Sequence, residues 1–152
     1  EKSSEQQILD WENIKAAERA TIAQTGTLDG VARGLPAFTR AVKLQNRAAR
    51  VGFDWPKVEP VLDKVAEEIT ELKDATTQKN RHEEFGDLMF VMANLARHLK
   101  IDPEQALHDS SNKFINRFNY IELKLKSSGK TPIQSNLEEM DALWNEAKQK
   151  EK

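Results

Sequence analysis

The fold is decided by the stretch VEPVLDKVAEEITEL, residues 58–72. Its apolar residues recur at intervals of three or four, which places them along one side of an α-helix. A second stretch, RHEEFGDLMFVMANLARHL at 81–99, has the same spacing. Two amphipathic helices of this kind are expected to bury their apolar stripes in a common core. The stripes comprise Val58, Val61, Leu62, Val65, Ile69 and Leu72 in the first helix and Phe85, Leu88, Met89, Met92, Leu95, Ala96 and Leu99 in the second.

Helices are predicted for the rest of the chain as well. Val, Ile and Thr nowhere form the alternating run that is typical of a strand. Glycine and proline punctuate the helix ends, and a glycine-containing linker is expected between the first two helices. The sequence therefore predicts an all-α protein. The predicted helices cover 4–23, 36–50, 60–75, 81–99 and 102–126, and a last one begins at 136.

Length and composition exclude several classes of protein. The 152 residues are about the size of one ordinary domain. Lys and Arg number 23 against 25 Asp and Glu, a net charge of −2, which argues against binding to duplex nucleic acid. The absence of cysteine excludes disulfides, thiolate metal sites and a cysteine nucleophile, and it favours a reducing compartment, so we expect a cytoplasmic protein. The most apolar stretch, 88–96, is too short to span a membrane.

One short pattern occurs twice in the chain. The pattern is a tryptophan followed by an apolar residue, Lys, Glu and a basic residue. It extends from Trp11 to Arg19 and again from Trp144 to Lys152, 144 − 11 = 133 residues later. The two copies reflect either a chance likeness of two charged helices or a tandem duplication. Duplication would make residues 1–35 an N-terminal helix and connecting loop, the tail of a preceding repeat, and 36–152 the main domain. The lack of an initiator methionine fits a fragment.

Acidic residues lie beside both apolar stripes. Glu68 and Glu71 form an i,i+3 pair in the first helix, and Glu84 and Asp87 form another in the second. On a wheel of about 100° per residue, Glu68 and Glu84 lie roughly 70° and 80° from the centres of their stripes. Their neighbours at positions 67 and 83 point to solvent. If the helices pack together, four carboxylates converge at the margin of the core.

Converging carboxylates need a positive charge to neutralise their repulsion. Mg²⁺ takes oxygen ligands and bridges to phosphates, so it is the expected ion, with Mn²⁺ as an alternative. The competing interpretation is an ordinary solvated acidic face. A ferritin-like di-iron centre would require Glu three residues before His. Lys79, Leu95 and Gln105 precede the three histidines instead, and no zinc-site spacing is present.

Cations suited to phosphate occur on the predicted fifth helix. Lys113 and Arg117 form an i,i+4 pair beside the aromatic residues at 114 and 118. Arg can hold phosphate oxygens with two hydrogen bonds, and Lys acts as a point charge. The alternative is a pair whose apolar stems simply cover the helix surface. Trp144 and Lys148 could add a stacking ring and a further cation, although Trp144 could equally pack in the core. Phosphate-binding loop and serine-hydrolase motifs are absent from the sequence.

These motifs together resemble the MazG-type nucleoside triphosphate pyrophosphohydrolases. The E-E-x-x-E motif at 67–71 followed by E-x-x-D at 84–87 is the family signature. Nearly the whole chain from Trp11 onward is similar to the C-terminal domain of the tandem-domain members. The segments that carry the resemblance are Gly34–Ala37, Arg50–Trp55, Gly86–Leu88, Asn94–His98 and Lys113–Phe118.

The resemblance implies an antiparallel helical bundle that forms a homodimer. It implies Mg²⁺-dependent hydrolysis of a nucleoside triphosphate to the monophosphate and pyrophosphate, with a metal-activated water attacking the α-phosphoryl group. The range of bases is expected to be broad and the role to be removal of unwanted nucleotides. The implied metal ligands and catalytic residues are Glu68, Glu71, Glu84 and Asp87, and the implied substrate-binding residues are Lys113, Arg117, Trp144 and Lys148.

Two positions depart from the family pattern. Ser111 occupies a position where members often have Asn, and Asn80 one where some have Lys. Lys79 or Arg81 is a candidate substitute for that lysine. The preferred base and sugar and the number of metal ions stay open. A different class of function also stays open: a catalytically weak dimerisation or regulatory module with a structural metal site.

Overall fold

The structure is a computed structural model that describes residues 3–21 and 26–152. Its described residues form six α-helices and one short 3₁₀-helix, and they include no strand, which confirms the predicted all-α class. The end of the first predicted helix, at residue 23, lies outside the described residues. The helices are α1 (Ser4–Thr21), α2 (Ala37–Arg50), α3 (Glu59–Asp74), α4 (Gln78–His98), α5 (Pro103–Ser127) and α6 (Leu137–Lys150), and the 3₁₀-helix is Pro132–Gln134.

Local chemistry sets the ends of these helices. Pro36 and Pro60 stand at the starts of α2 and α3, as expected for a residue that lacks a backbone N–H. The α4 helix begins three residues earlier than predicted, because the Thr77 side chain accepts a hydrogen bond from the Asn80 N–H at 3.1 Å. Asn136 caps α6 in the same way by accepting from the Glu139 N–H at 2.8 Å.

The chain divides into two compact units, one that extends to Pro103 and one from Glu104 to Lys152. In the first unit α3 packs against α4, and α2 also packs against α4. Val61, Val91 and Ala93 are among the buried residues of this unit. The domain boundary predicted after residue 35 stays a prediction.

The apolar stripes are wider than the core that buries them. Leu62 and Ile69 on α3 and Phe85 and Met92 on α4 were predicted to be inward, yet each is exposed. The reason is geometric: a stripe broader than about 100° has one edge against the neighbouring helix and one edge beyond it. Side chains at that outer edge have no apolar partner in the described part of the chain that could bury them.

The first helix has the same property. Trp11 and Ile14 on α1 are 57% and 58% exposed. A salt bridge between Glu12 and Arg50, with 2.5 Å between Oε1 and the guanidinium nitrogen, links α1 to the end of α2. None of the described helices combines the length and apolarity that crossing a bilayer would require.

Candidate active site

A short connection brings the predicted carboxylates to the same level. Residues 75–77 join α3 to α4, so the two helices form a hairpin. With a rise of about 1.5 Å per residue, Glu68 lies about 9 Å before the end of α3 and Glu84 about 9 Å after the start of α4. Both residues also border the apolar stripes, which face each other. The hairpin therefore places Glu68 opposite Glu84.

Three of the four predicted acids form a tight group. Glu68, Glu71 and Glu84 each contribute a carboxylate oxygen, and these oxygens all lie within 4.8 Å of one another. Glu68 is 4% exposed, and its Oε2 atom has no hydrogen-bond partner in the described part of the chain. A buried carboxylate oxygen without a partner is unfavourable unless another group compensates it. The group thus has the composition and the unsatisfied oxygen of a cation site.

Asp87 does not belong to this group. It lies one turn beyond Glu84, so it is separated from Glu71 by about 9 Å along the hairpin axis. Asp87 nevertheless lines the same cavity as Glu68. A helical wheel gives the side of the helix on which each acid lies. It does not give the position of the acid along the hairpin axis.

Mutual repulsion within the group alters the ionisation of Glu71. The pKa of Glu71 is raised, first because loss of water contacts disfavours its charged form, and then through the neighbouring Glu68 and Glu84 carboxylates. The acids at the flanking positions lie outside this group. Glu67 and Glu83 have side chains that are 54% and 57% exposed, as the wheel predicts.

Lys64 is a site residue that the motif did not identify. Its Nζ lies 2.8 Å from Oε1 of Glu68 and 2.9 Å from Oε1 of Glu67. The ammonium group compensates the buried Glu68, and these two carboxylates raise the pKa of Lys64 above its ordinary value, Glu68 most strongly. The signal was available in the sequence, because Lys64 precedes Glu68 by four residues and so shares its face of α3.

A cavity of about 690 Å³ opens beside the acids, a size typical of small-molecule sites. Lys64, Glu68 and Asp87 line it at the α3–α4 hairpin. The rest of its lining comes from Leu28, from α2, from the 52–55 turn and from the second half of α4. Aromatic side chains are prominent in this lining: Phe53, Trp55 and Phe90.

The 52–55 turn is fastened to the end of α4. Asp54 accepts a hydrogen bond from Arg97 and lies 3.0 Å from Nε2 of His98. The hydrogen bond from Arg97 is the main cause that lowers the pKa of Asp54. Arg97 also donates to Oδ1 of the buried Asn94. Gly52 has a φ of 91°, which only glycine adopts readily, so the chain reverses here and carries Trp55 to the cavity wall.

The predicted cations lie in the second unit. Arg117 holds Glu151 through two hydrogen bonds, Nε to Oε1 at 3.0 Å and a terminal nitrogen to Oε2 at 2.6 Å. The pKa of Glu151 is lowered, mainly by these bonds and further by the charges of Lys113 and Lys148. Arg117 also stacks over Trp144 at 5.1 Å from the ring centroid. Three predicted substrate-binding residues, Lys113, Arg117 and Lys148, thus act on the carboxylate of Glu151, and the fourth, Trp144, lies against Arg117. Sequence reasoning did not identify Glu151.

Trp144 is also part of the packing between α5 and α6. Its ring lies 5.5 Å from that of Phe114, centroid to centroid, and Phe114 stacks on Phe118 at 6.1 Å. The packing interpretation of Trp144 is thus confirmed by its contact with Phe114, and the ring also stacks with the Arg117 guanidinium. Stacking of Trp144 on a nucleotide stays a prediction.

The residues that depart from the family pattern have local partners. The Ser111 hydroxyl donates to the backbone carbonyl of Leu107 at 3.0 Å. Arg81 donates from Nε to the carbonyl of Ala75 at 3.3 Å, and Lys79 lies 4.0 Å from Glu83. Whether Lys79 or Arg81 replaces the family lysine stays a prediction.

The hairpin of two amphipathic helices with converging carboxylates beside a cavity forms a candidate cation site in an all-α protein. Comparison with known families agrees: residues 57–121 match the profile described as the MazG nucleotide pyrophosphohydrolase domain. The chain thus contains a MazG nucleotide pyrophosphohydrolase domain.

Several characterised bacterial sequences are similar to this chain. It is 42% identical over 154 residues to the nucleoside triphosphate pyrophosphohydrolase of Escherichia coli K12, covering 98% of this chain and 59% of that protein. It is 38% identical over 138 residues to the nucleoside triphosphate pyrophosphohydrolase/pyrophosphatase MazG of Thermotoga maritima, covering 91% of this chain and 54% of that protein. The chain thus spans little more than half the length of these relatives.

Proposed function

We propose that this chain hydrolyses nucleoside triphosphates to the monophosphate and pyrophosphate. The observation that carries the proposal is the group of three carboxylates, of which the buried and incompletely satisfied Glu68 lines a cavity of ligand size. The MazG domain and the names of the bacterial relatives support the same activity.

A divalent cation fits the acidic group. The donor set is all carboxylate oxygen, which suits the hard ions Mg²⁺ and Mn²⁺. The unpartnered Oε2 of Glu68 and the raised pKa of Glu71 both show that positive charge would stabilise the group. We propose that Glu68, Glu71 and Glu84 hold the ion and that Asp87 completes the site from the cavity wall. When bound, Mg²⁺ supplies a Lewis acid that polarises phosphoryl oxygens.

The protein's own residues then have distinct tasks. In the reaction, water attacks the α-phosphorus, the bond to the bridging oxygen breaks, and pyrophosphate departs with that electron pair. Lys64 lies on the cavity wall, so its ammonium group is placed to attract phosphate oxygens as well as Glu68.

The cations of the second unit are proposed to bind the triphosphate. The contact with Glu151 indicates that Arg117 can bind an anion through two hydrogen bonds. The positive charges of Lys113 and Lys148 also act on this carboxylate. A phosphate group presents the same planar edge of two oxygens as a carboxylate. Trp144, held by packing, is proposed to lie beside the nucleotide.

A homodimer is proposed as the active assembly. Leu62 and Ile69 are seven residues apart on α3, and Phe85 and Met92 are seven residues apart on α4, so each pair forms an exposed apolar edge. Apolar edges of this kind mark protein interaction sites. Sedimentation of the wild type and of an Ile69→Lys variant tests this: the wild type should be dimeric and the variant monomeric, and a monomeric wild type would refute it.

The remaining expectations concern organisation and role. We propose that 36–152 is the catalytic domain, that several bases are accepted, and that the protein removes unwanted nucleotides in the cytoplasm. The absence of cysteine supports the reducing compartment.

Product identification tests the proposed reaction. The purified chain is incubated with Mg²⁺ and each common ribo- and deoxyribonucleoside triphosphate, and the products are separated by ion-exchange chromatography. Monophosphate with pyrophosphate is expected. Diphosphate with orthophosphate would reject cleavage at the α-phosphorus, and no turnover would favour the regulatory module with a structural metal site.

A further inference from the structure

The cavity has a second feature that the hydrolysis does not use: the side chain of Gln45. This residue lies on α2, lines the cavity, and is only 8% exposed. Its Nε2 donates a hydrogen bond to the backbone carbonyl of Phe90 at 2.9 Å. Its Oε1 has no hydrogen-bond partner in the described part of the chain.

The orientation of this amide is fixed by its one bond. Exchanging the oxygen and nitrogen would bring Oε1 against the carbonyl oxygen of Phe90, and two acceptors repel each other. Gln45 therefore presents an acceptor, not a donor, to the unsatisfied side. A buried acceptor without a donor is unfavourable, so a donor supplied by a ligand would be bound selectively.

The surroundings indicate what kind of ligand supplies that donor. Glu68 and Asp87 line one part of the same cavity, where the phosphates would be drawn by the proposed metal site. Phe53, Trp55 and Phe90 line other parts, and aromatic faces suit a flat heterocycle. A group that joins phosphates to a flat ring with N–H donors is a nucleotide.

We propose that the cavity binds the nucleobase and that Gln45 Oε1 accepts a hydrogen bond from its exocyclic amino group. The inference rests on the proposed hydrolysis and deepens it by naming a specificity-determining residue. Adenine, cytosine and guanine carry such an amino group, whereas uracil and thymine do not, so this contact favours the first three bases. It disfavours analogues in which that group is missing.

A matched pair of substrates isolates this single hydrogen bond. ATP and purine riboside 5′-triphosphate differ only in the 6-amino group. The wild type should have a kcat/KM for ATP about tenfold or more above that for the analogue, since the analogue leaves the buried acceptor unpaired. Equal values would overturn the proposal without a variant being made.

The Gln45→Met variant identifies the residue responsible. Methionine keeps the length and volume of the side chain but removes the acceptor, so the preference for ATP should fall to about one. Loss of the hydrogen bond to Phe90 alone would change kcat/KM for both substrates by the same factor and leave their ratio unchanged. Asn46→Met, at the exposed neighbouring position of α2, is the control and should retain the preference. An unchanged ratio in Gln45→Met would refute the assignment.

A binding measurement separates this inference from the proposed reaction. AMP and purine riboside monophosphate are titrated into the wild-type chain without divalent metal, and heats of binding are recorded. Tighter binding of AMP supports the base contact even if no triphosphate is hydrolysed. Hydrolysis to pyrophosphate with equal binding of the two monophosphates and equal kcat/KM values would keep the proposed function and reject the base contact.

Discussion

The acidic region of α3 and α4 and the basic region of α5 and α6 are opposite in charge but alike in construction. In the first, carboxylates converge and one cation, Lys64, compensates the most buried of them. In the second, the charges of Lys113, Arg117 and Lys148 act on one anion, Glu151, which accepts two hydrogen bonds from the Arg117 guanidinium. In each region a residue of opposite charge thus contacts the converging group.

The difference between the two regions lies in burial. Glu68 is almost fully buried and retains an oxygen without a partner, whereas Glu151 is 43% exposed and well hydrogen-bonded. The buried carboxylate of Glu68 is therefore incompletely satisfied, whereas Glu151 and Arg117 satisfy each other. A ligand that supplies positive charge should gain more in the acidic region, so substitutions there should have the larger effects.

The largest effect is expected from Glu71→Gln. The variant keeps the size of the side chain but removes one proposed metal ligand, so kcat/KM should fall by about 100-fold or more, as expected when several kcal/mol of metal-derived stabilisation are lost. The thermal midpoint should not fall, because the raised pKa of Glu71 shows that its charge is disfavoured in the folded protein. Activity assays and thermal melts measure both quantities.

Glu83→Gln is the matched control for this comparison. Glu83 neighbours Glu84 in sequence, but its side chain is 57% exposed and lies outside the carboxylate group. Its activity should equal that of the wild type. Full activity in Glu71→Gln would remove that residue from the proposed metal site.

A smaller effect is expected from Arg117→Lys in the basic region. Lysine keeps the charge but loses the planar fork and the stacking on Trp144. The KM for the triphosphate should rise about tenfold, in line with the strength of a charge-assisted bidentate contact, while kcat changes little. Steady-state kinetics measure the two parameters, with the exposed Lys126→Arg as control. An unchanged KM would show that Arg117 serves only to join α5 and α6.

Lys64→Met should produce two effects of opposite sign. Removing the ammonium group frees Glu68 from its internal partner, so Mn²⁺ should bind a few-fold more tightly in calorimetry without nucleotide. The KM for the triphosphate should rise a few-fold, because a cation on the cavity wall is lost. Lys73→Met, at an exposed position of the same helix, should alter neither quantity. Weaker metal binding in Lys64→Met would mean that the lysine positions Glu68 instead of competing for it.

The sequence predicts the fold because helix-forming patterns are local. The spacing of Val61 and Val65 in α3 and the proline before α2 are readable without knowledge of any contact. The start of α4 was misplaced because it depends on one side-chain hydrogen bond, from the Asn80 N–H to Thr77. The exposure of Ile69 and Phe85 was not predicted, because the width of a stripe does not tell whether the same chain or a partner covers it.

The site was predictable in its chemistry more than in its geometry. Angular position on a helix follows from residue number, so Glu68 and Glu84 were chosen correctly as inward acids. Height along a hairpin depends on the length of the connection, which is why Asp87 falls outside the tight group. Lys64 and Glu151 were missed because compensating charges belong to no motif and are recognised only by their contacts.

The smallest effect is expected from Glu151→Gln, which removes the anion that occupies Arg117. The substrate no longer competes with a tethered carboxylate, so KM should fall about two- to fivefold, as expected for a partly exposed ion pair.

Because the pKa of Glu151 is lowered in the folded protein, its stabilising effect is present at neutral pH and is lost as the pH falls through that lowered value. The wild type should therefore melt slightly above the variant at pH 7, and the two should melt together at strongly acidic pH. Glu138→Gln, at an exposed position of the same helix, should match the wild type in KM. A raised KM in Glu151→Gln would mean that Glu151 orients Arg117 for the substrate instead of blocking it, and the two regions would then not be alike in construction.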